Sequence, residues 1–90
     1  MKTLTLEDVR SALAQLPVEK AACLSNDELL KADFLATLRM NEAQVAHLTS
    51  ILERQHRILL PVGVSASLKV KNTVAVFIGA ANSHLIDLDE

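Results

Sequence analysis

Residues 34–61, FLATLRMNEAQVAHLTSILERQHRILLP, carry the longest uninterrupted helical pattern of the chain. Asn41 is a good N-cap, and Glu42 puts a carboxylate in the first turn, where it complements the helix dipole. No glycine or proline follows until Pro61. Val45, Leu48 and Leu52 recur on one face with Ile51 beside them, while Gln44, His47, Arg54 and Gln55 lie mostly elsewhere. The spacing predicts a helix from Asn41 to His56 or Arg57. Ile58, Leu59 and Leu60 then read as an apolar descent into the core, stopped by Pro61 and Gly63.

Upstream, Thr5 can cap a first helix over residues 5–16, with Glu7 and Asp8 in its first turn and Leu6, Val9, Leu13 and Leu16 on one stripe. Pro17 disfavours helical geometry at Leu16 and closes the segment. Between Pro17 and Phe34 the chain is mixed. Ser25 and Glu28 have the spacing of a capping box, so a short helical turn is expected within a long connection. Phe34, Leu35 and Leu38 supply an apolar group just before the long helix.

Downstream, Val62, Val64, Leu68 and Val70 alternate with small or polar residues, a pattern that also fits a strand. An isolated strand would have no partner, so a loop with a short helical turn over Ser65–Lys69 is preferred. A last helix is expected over Thr73–Ala81, capped by Thr73 or Asn72, with Val74, Phe77, Ile78 and Ala81 on one face. Gly79 weakens it by about 1 kcal/mol but lets another helix approach closely. Residues 1–86 therefore read as one helical domain and residues 87–90 as a frayed acidic tail.

Composition bounds the function. Ninety residues, half of them hydrophobic, suit one thin aliphatic core, with Phe34 and Phe77 the only aromatics. Nine basic against eleven acidic residues leave a net charge of −2, which disfavours binding to a phosphate backbone. A lone Cys23 forms no internal disulfide and is expected as a small buried hydrophobe. Neither a leader-like start nor a stretch of membrane-spanning length is visible, so a cytoplasmic monomer is expected. His47 and His56 are nine residues apart and lack the spacing of a helical metal pair. No nucleophile triad, phosphate loop or paired carboxylates appear, so neither an enzyme nor a metal site is expected.

The quoted stretch resembles the acyl carrier protein family without a gap. In that family a Phe is followed by Asp-Leu-Gly, then by Asp-Ser-Leu opening the second helix, Val-Glu-Leu, Leu-Glu and an Ile-x-Ile-Pro exit. Phe34 takes the place of the Phe, Leu38 of the Leu, Arg39 of the Gly, Met40 of the hydrophobe before the signature and Asn41 of the Asp. Ala46, His47 and Leu48 fall on Val-Glu-Leu, Leu52 and Glu53 on Leu-Glu, and Ile58, Leu60 and Pro61 on the exit. The first helix matches in placement only, and residues 62–72 need an insertion.

The resemblance implies an all-α, four-helix carrier-like bundle with a long first loop and a short third helix. It places Glu42 on the serine that carries phosphopantetheine. A carboxylate only accepts hydrogen bonds and would give at best a hydrolysable acyl phosphate, so no phosphopantetheine or other cofactor is expected. The family docks its partners through an acidic second helix. Here Glu42 and Glu53 are matched by Arg54 and Arg57, and the expected partner-binding residues are Asn41, Glu42, Ala43, His47 and Arg54. The expected role is protein–protein contact in or near a fatty acid, polyketide or related acyl pathway. The alternatives are a genuine carrier modified at Ser25, Ser50, Ser65 or Ser67, and an unrelated helical interaction or DNA-binding module.

Overall fold

The computed structural model describes residues 2–16, 18–61 and 73–89. Helix α1, Leu6–Leu13, starts where Thr5 and Asp8 exchange hydrogen bonds: Asp8 N–H donates to Thr5 Oγ1 at 3.3 Å, and Thr5 N–H donates to Asp8 Oδ2 at 2.9 Å. It buries Val9, Ala12 and Leu13. The helix is shorter than the expected 5–16. Gln15 and Leu16 donate instead to the carbonyls of Ala12 and Leu13, three residues back, so the last turn tightens before the proline.

The long connection holds two short helices, α2 over Glu19–Ala22 and α3 over Asn26–Lys31. The Ser25–Glu28 capping box forms as read from the spacing, with bonds of 3.3 and 3.1 Å. Arg10 of α1 ties this connection down, donating to Ala21 O at 3.1 Å, Leu24 O at 3.0 Å and Asn26 Oδ1 at 3.0 Å. It thereby adds a charged donor to the carbonyls of Ala21 at the end of α2 and of Leu24 in the loop after it. Cys23 caps α2 and is exposed, contrary to the expectation of burial, because Ala21 takes the inward position on this single turn.

Asp33 then builds a turn, its Oδ1 accepting from Leu35 N–H at 2.8 Å and Ala36 N–H at 3.1 Å. Further bonds from Leu38 N–H to Asp33 O, 2.9 Å, and from Met40 N–H to Phe34 O, 3.0 Å, close it. Phe34, Leu38 and Met40 all point into the core. To bury both Leu38 and Met40, the residue between them takes the left-handed conformation: Arg39 has φ 54°.

Helix α4, Glu42–His56, follows, capped by Asn41, which accepts from Gln44 N–H at 2.8 Å while Gln44 Oε1 accepts from Asn41 N–H at 2.9 Å. It buries Val45, Leu48, Thr49, Ile51 and Leu52. Thr49 is tolerated there because its hydroxyl donates to Val45 O at 3.1 Å. Arg57, φ 53°, ends the helix in the left-handed conformation, its N–H bonded to Glu53 O.

The chain then forms strand β1, Ile58–Leu59, with Ile58 and Leu60 buried and Leu59 exposed. Its antiparallel partner is β2, Ile86–Asp87, with Ile58 opposite Asp87 and Leu59 opposite Ile86. The fold is therefore mainly helical with five helices among the described residues, and the ribbon departs from the all-α expectation. The acidic end expected to fray is tied down over Asp87–Asp89: Leu88 N–H reaches Arg57 O at 3.0 Å, and Asp89 meets Lys2 and Arg57.

Helix α5, Val74–His84, is capped by Thr73, whose hydroxyl accepts from Val76 N–H at 3.3 Å, and runs beyond the expected Ala81. Phe77 meets Phe34 edge to face, with ring centroids 5.5 Å apart, joining α5 to the turn before α4. Val74 N–H donates to Ala32 O at 2.9 Å and ties the start of α5 to the end of α3. Among the described residues a Cβ at Gly79 would meet nothing within 4 Å, so the close approach expected of this glycine is not found among them. Asn82 clamps the N-terminal segment, accepting from Leu4 N–H at 2.7 Å and donating to Leu4 O at 2.9 Å. The expected turn over Ser65–Lys69 and the alternative cap Asn72 lie outside the described residues.

Candidate functional site

The buried stripe of α4 leaves its opposite face to solvent, and the expected partner-binding residues all fall there or at its start. Asn41, Glu42, Ala43, His47 and Arg54 are exposed. Asn41 already spends its carboxamide on the helix cap. Glu42 occupies the first helical position, where the free N–H groups favour its charge. Ala43, His47, Ser50 and Arg54 follow at spacings of four, three and four residues and form one outward stripe.

These residues do not converge on a point. Ala43 and Arg54 are separated by about 16 Å along the axis at 1.5 Å per residue. Arg54 instead borders a shallow groove of about 280 Å³ that it shares with Gln15, Ile51 and Gln55, where the end of α1 lies against α4. Glu53 does not belong to the exposed face. Its Oε2 accepts from Leu60 N–H at 2.9 Å and fixes the turn from α4 into β1.

A second concave region, about 350 Å³, opens between the N-terminal segment, the end of α4 and the last residues. Lys2 Nζ lies 2.7 Å from Asp89 Oδ2 and 3.3 Å from Asp87 Oδ1, and donates to Arg57 O at 3.1 Å. Arg57 Nε lies 3.2 Å from Asp89 Oδ1, and His56 Nε2 stands 3.8 Å from Asp8 Oδ1. Hydrogen bonding to Asp89, with smaller help from Asp87, holds the Lys2 ammonium above its ordinary range. The Asp87 carboxyl lies below its usual range, chiefly because it accepts from Asp89 N–H, with Lys2 adding to the effect. Lys2 and Arg57 each face a carboxylate, so the region is an ionic seam joining the two ends of the fold. Sequence spacing gave no sign of it, since Lys2 and Asp89 are 87 residues apart.

Phe34, Leu38, Met40, Leu48, Leu52, Ile58 and Leu60 are all buried. Arg39 has the left-handed backbone that favours glycine. No described helix is long and apolar enough to cross a membrane. Comparison with protein-family models, with curated proteins and with solved structures gives no match to this chain.

Proposed function

We propose that this chain is a divergent acyl-carrier-like protein that acts by protein contact in or near an acyl pathway and carries no phosphopantetheine at position 42. The observation that carries the reading is Arg39. Its φ of 54° falls where the family pattern has glycine, three residues before the first residue of α4. A residue with the backbone conformation that glycine prefers supports reading position 39 against that glycine.

On this reading Glu42 stands at the helix start that elsewhere presents a nucleophilic hydroxyl. Its carboxylate keeps negative charge there but forms no stable phosphodiester. Ser25 is engaged in the capping box of α3, and Ser50 lies midway along α4 rather than at a helix start. The protein contributes a surface, and its partners do the chemistry.

The test is Glu42→Ser, incubated with coenzyme A and a broad-specificity phosphopantetheinyl transferase and followed by intact mass. Gain of one phosphopantetheine by the variant, with the parent chain unmodified, is expected. A variant that stays unmodified would sink the equivalence of position 42 to the carrier serine. A phosphopantetheine arm on the parent chain from its native host would overturn the adaptor reading.

A further inference from the structure

The cleft at the ionic seam, about 350 Å³, has the size of a small-molecule site. Leu4 and Ile58 border it but are buried, so an entering group meets a polar wall of Lys2, Gln55, His56, Arg57 and Asp89. Among the described residues Asp89 is the one acid of that wall. Its two oxygens reach different cations, Oδ2 lying 2.7 Å from Lys2 Nζ and Oδ1 3.2 Å from Arg57 Nε. Donors remain around it. The Arg57 side chain is 74 % exposed and a guanidinium carries five N–H groups, so most of them face solvent. His56 Nε2 stands 3.8 Å from Asp8 Oδ1, beyond hydrogen-bond reach, and Gln55 adds an exposed amide.

We propose that this cleft binds the phosphate group of a small soluble molecule, and that the Asp89 carboxylate is its built-in occupant, standing where phosphate oxygens would lie. The site goes beyond the carrier-like reading and rests on no part of it. Phosphate suits the wall better than a carboxylate, because it brings three free oxygens to donors on Lys2, on Arg57 and at the Gln55–His56 end of α4. Asp89 fills the seat with two. Charge requires that Asp89 leave first. While it is seated, Asp87 and Asp89 balance Lys2 and Arg57; once it turns out, the seat gains one net positive charge. The Asp87 carboxylate, 10 % exposed, stays behind Lys2 and does not border the cleft. Turning Asp89 out breaks no main-chain bond. The segment is held by Asp89 N–H on Asp87 Oδ1 and by Leu88 N–H on Arg57 O, so a rotamer change of one half-exposed side chain suffices.

The experiment titrates the isotope-labelled full chain with inorganic phosphate by NMR, at an ionic strength held constant with sodium chloride. Shifts are expected at the amides of Lys2, His56 and Arg57. A tethered carboxylate competes at an effective concentration on the order of millimolar, so the parent should bind weakly. Asp89→Asn keeps the size and the main-chain N–H but not the charge, and should bind about tenfold tighter. Adding Arg57→Gln to it should undo that gain. In Asp89→Asn, acetate should bind more weakly than phosphate, and glycerol phosphate at least as well. Unchanged amide shifts away from the cleft verify that each variant keeps the fold.

Equal phosphate affinity in the parent and Asp89→Asn, shifts that map away from the cleft, or indifference of Asp89→Asn to the added Arg57→Gln would each overturn the proposal. So would acetate binding as tightly as phosphate, which would mean an adventitious ion only. Retention of the chain on vesicles of phosphatidylcholine and phosphatidic acid, with no shift from glycerol phosphate, would assign the phosphate to a lipid headgroup and overturn the soluble ligand. None of these readouts involves position 42, so this inference and the carrier-like reading can fail separately.

Discussion

Replacing Arg39 by glycine should stabilise the protein, and the size of the gain follows from its backbone. Arg39 is exposed and has φ 54°, so the substitution relieves left-handed strain and removes no core packing. A side chain in this region costs about 1–2 kcal/mol. Glycine gives back roughly 0.5–1 kcal/mol through the greater freedom of its unfolded chain. The difference is a net gain of about 0.5–1 kcal/mol. For a domain of this size that raises the melting temperature by roughly 3–6 °C.

Arg39→Ala should be nearly neutral, because it keeps a Cβ in the same conformation. Arg39→Val should lose about 1 kcal/mol, since a branched Cβ fits the left-handed region worst. Urea denaturation of the four proteins, with a common m-value, measures the series. Two results would refute the reasoning: equal losses for glycine and alanine, which would mean that the arginine side chain itself stabilises, or a valine variant as stable as the parent.

Asn82→Ala should cost about 1–2 kcal/mol in chemical denaturation, since it removes two hydrogen bonds to Leu4 and regains only part in helix propensity; Asn82→Asp, keeping the acceptor alone, should fall between. Leu48→Ala, at a fully buried position, should cost about 2–5 kcal/mol, a large part of the total stability of a chain this short, and a near-neutral result would place Leu48 outside the core. Hydrogen bonds from the N–H and hydroxyl of Ser25 hold the Glu28 carboxyl below its usual range. The folded value lies below the unfolded one, so this contribution is full above about pH 4.3 and is lost as pH falls through the folded value. An NMR titration should find Glu28 titrating low in the parent and only partly raised in Ser25→Ala, which loses the hydroxyl but keeps the backbone N–H of residue 25; a parent value in the ordinary range would remove the capping box as a cause.

Helix α4 was legible because Asn41, an unbroken run and three- and four-residue spacing all point the same way. The Ser25–Glu28 box was legible for the same local reason. The ribbon was not, because strands of two residues carry no measurable period and their register joins segments far apart in the chain. Burial of Cys23 was misjudged because a single helical turn has one inward position and Ala21 holds it. At the site, the exposure of Asn41, Glu42, Ala43, His47 and Arg54 followed from the apolar stripe opposite them. The inward turn of Glu53 did not, since its partner, Leu60 N–H, comes into reach only after Arg57 reverses the chain.

The Leu4–Asn82 clamp also has a kinetic consequence. Its two hydrogen bonds join residues 78 apart, and the Lys2–Asp89 contact joins residues 87 apart. Closing such spans early would cost chain entropy before any packing repaid it, whereas the Thr5, Ser25 and Asn41 caps form within three residues. The N-terminal segment is therefore expected to join last during folding. Substitutions at Asn82 should then accelerate unfolding and leave the refolding rate nearly unchanged.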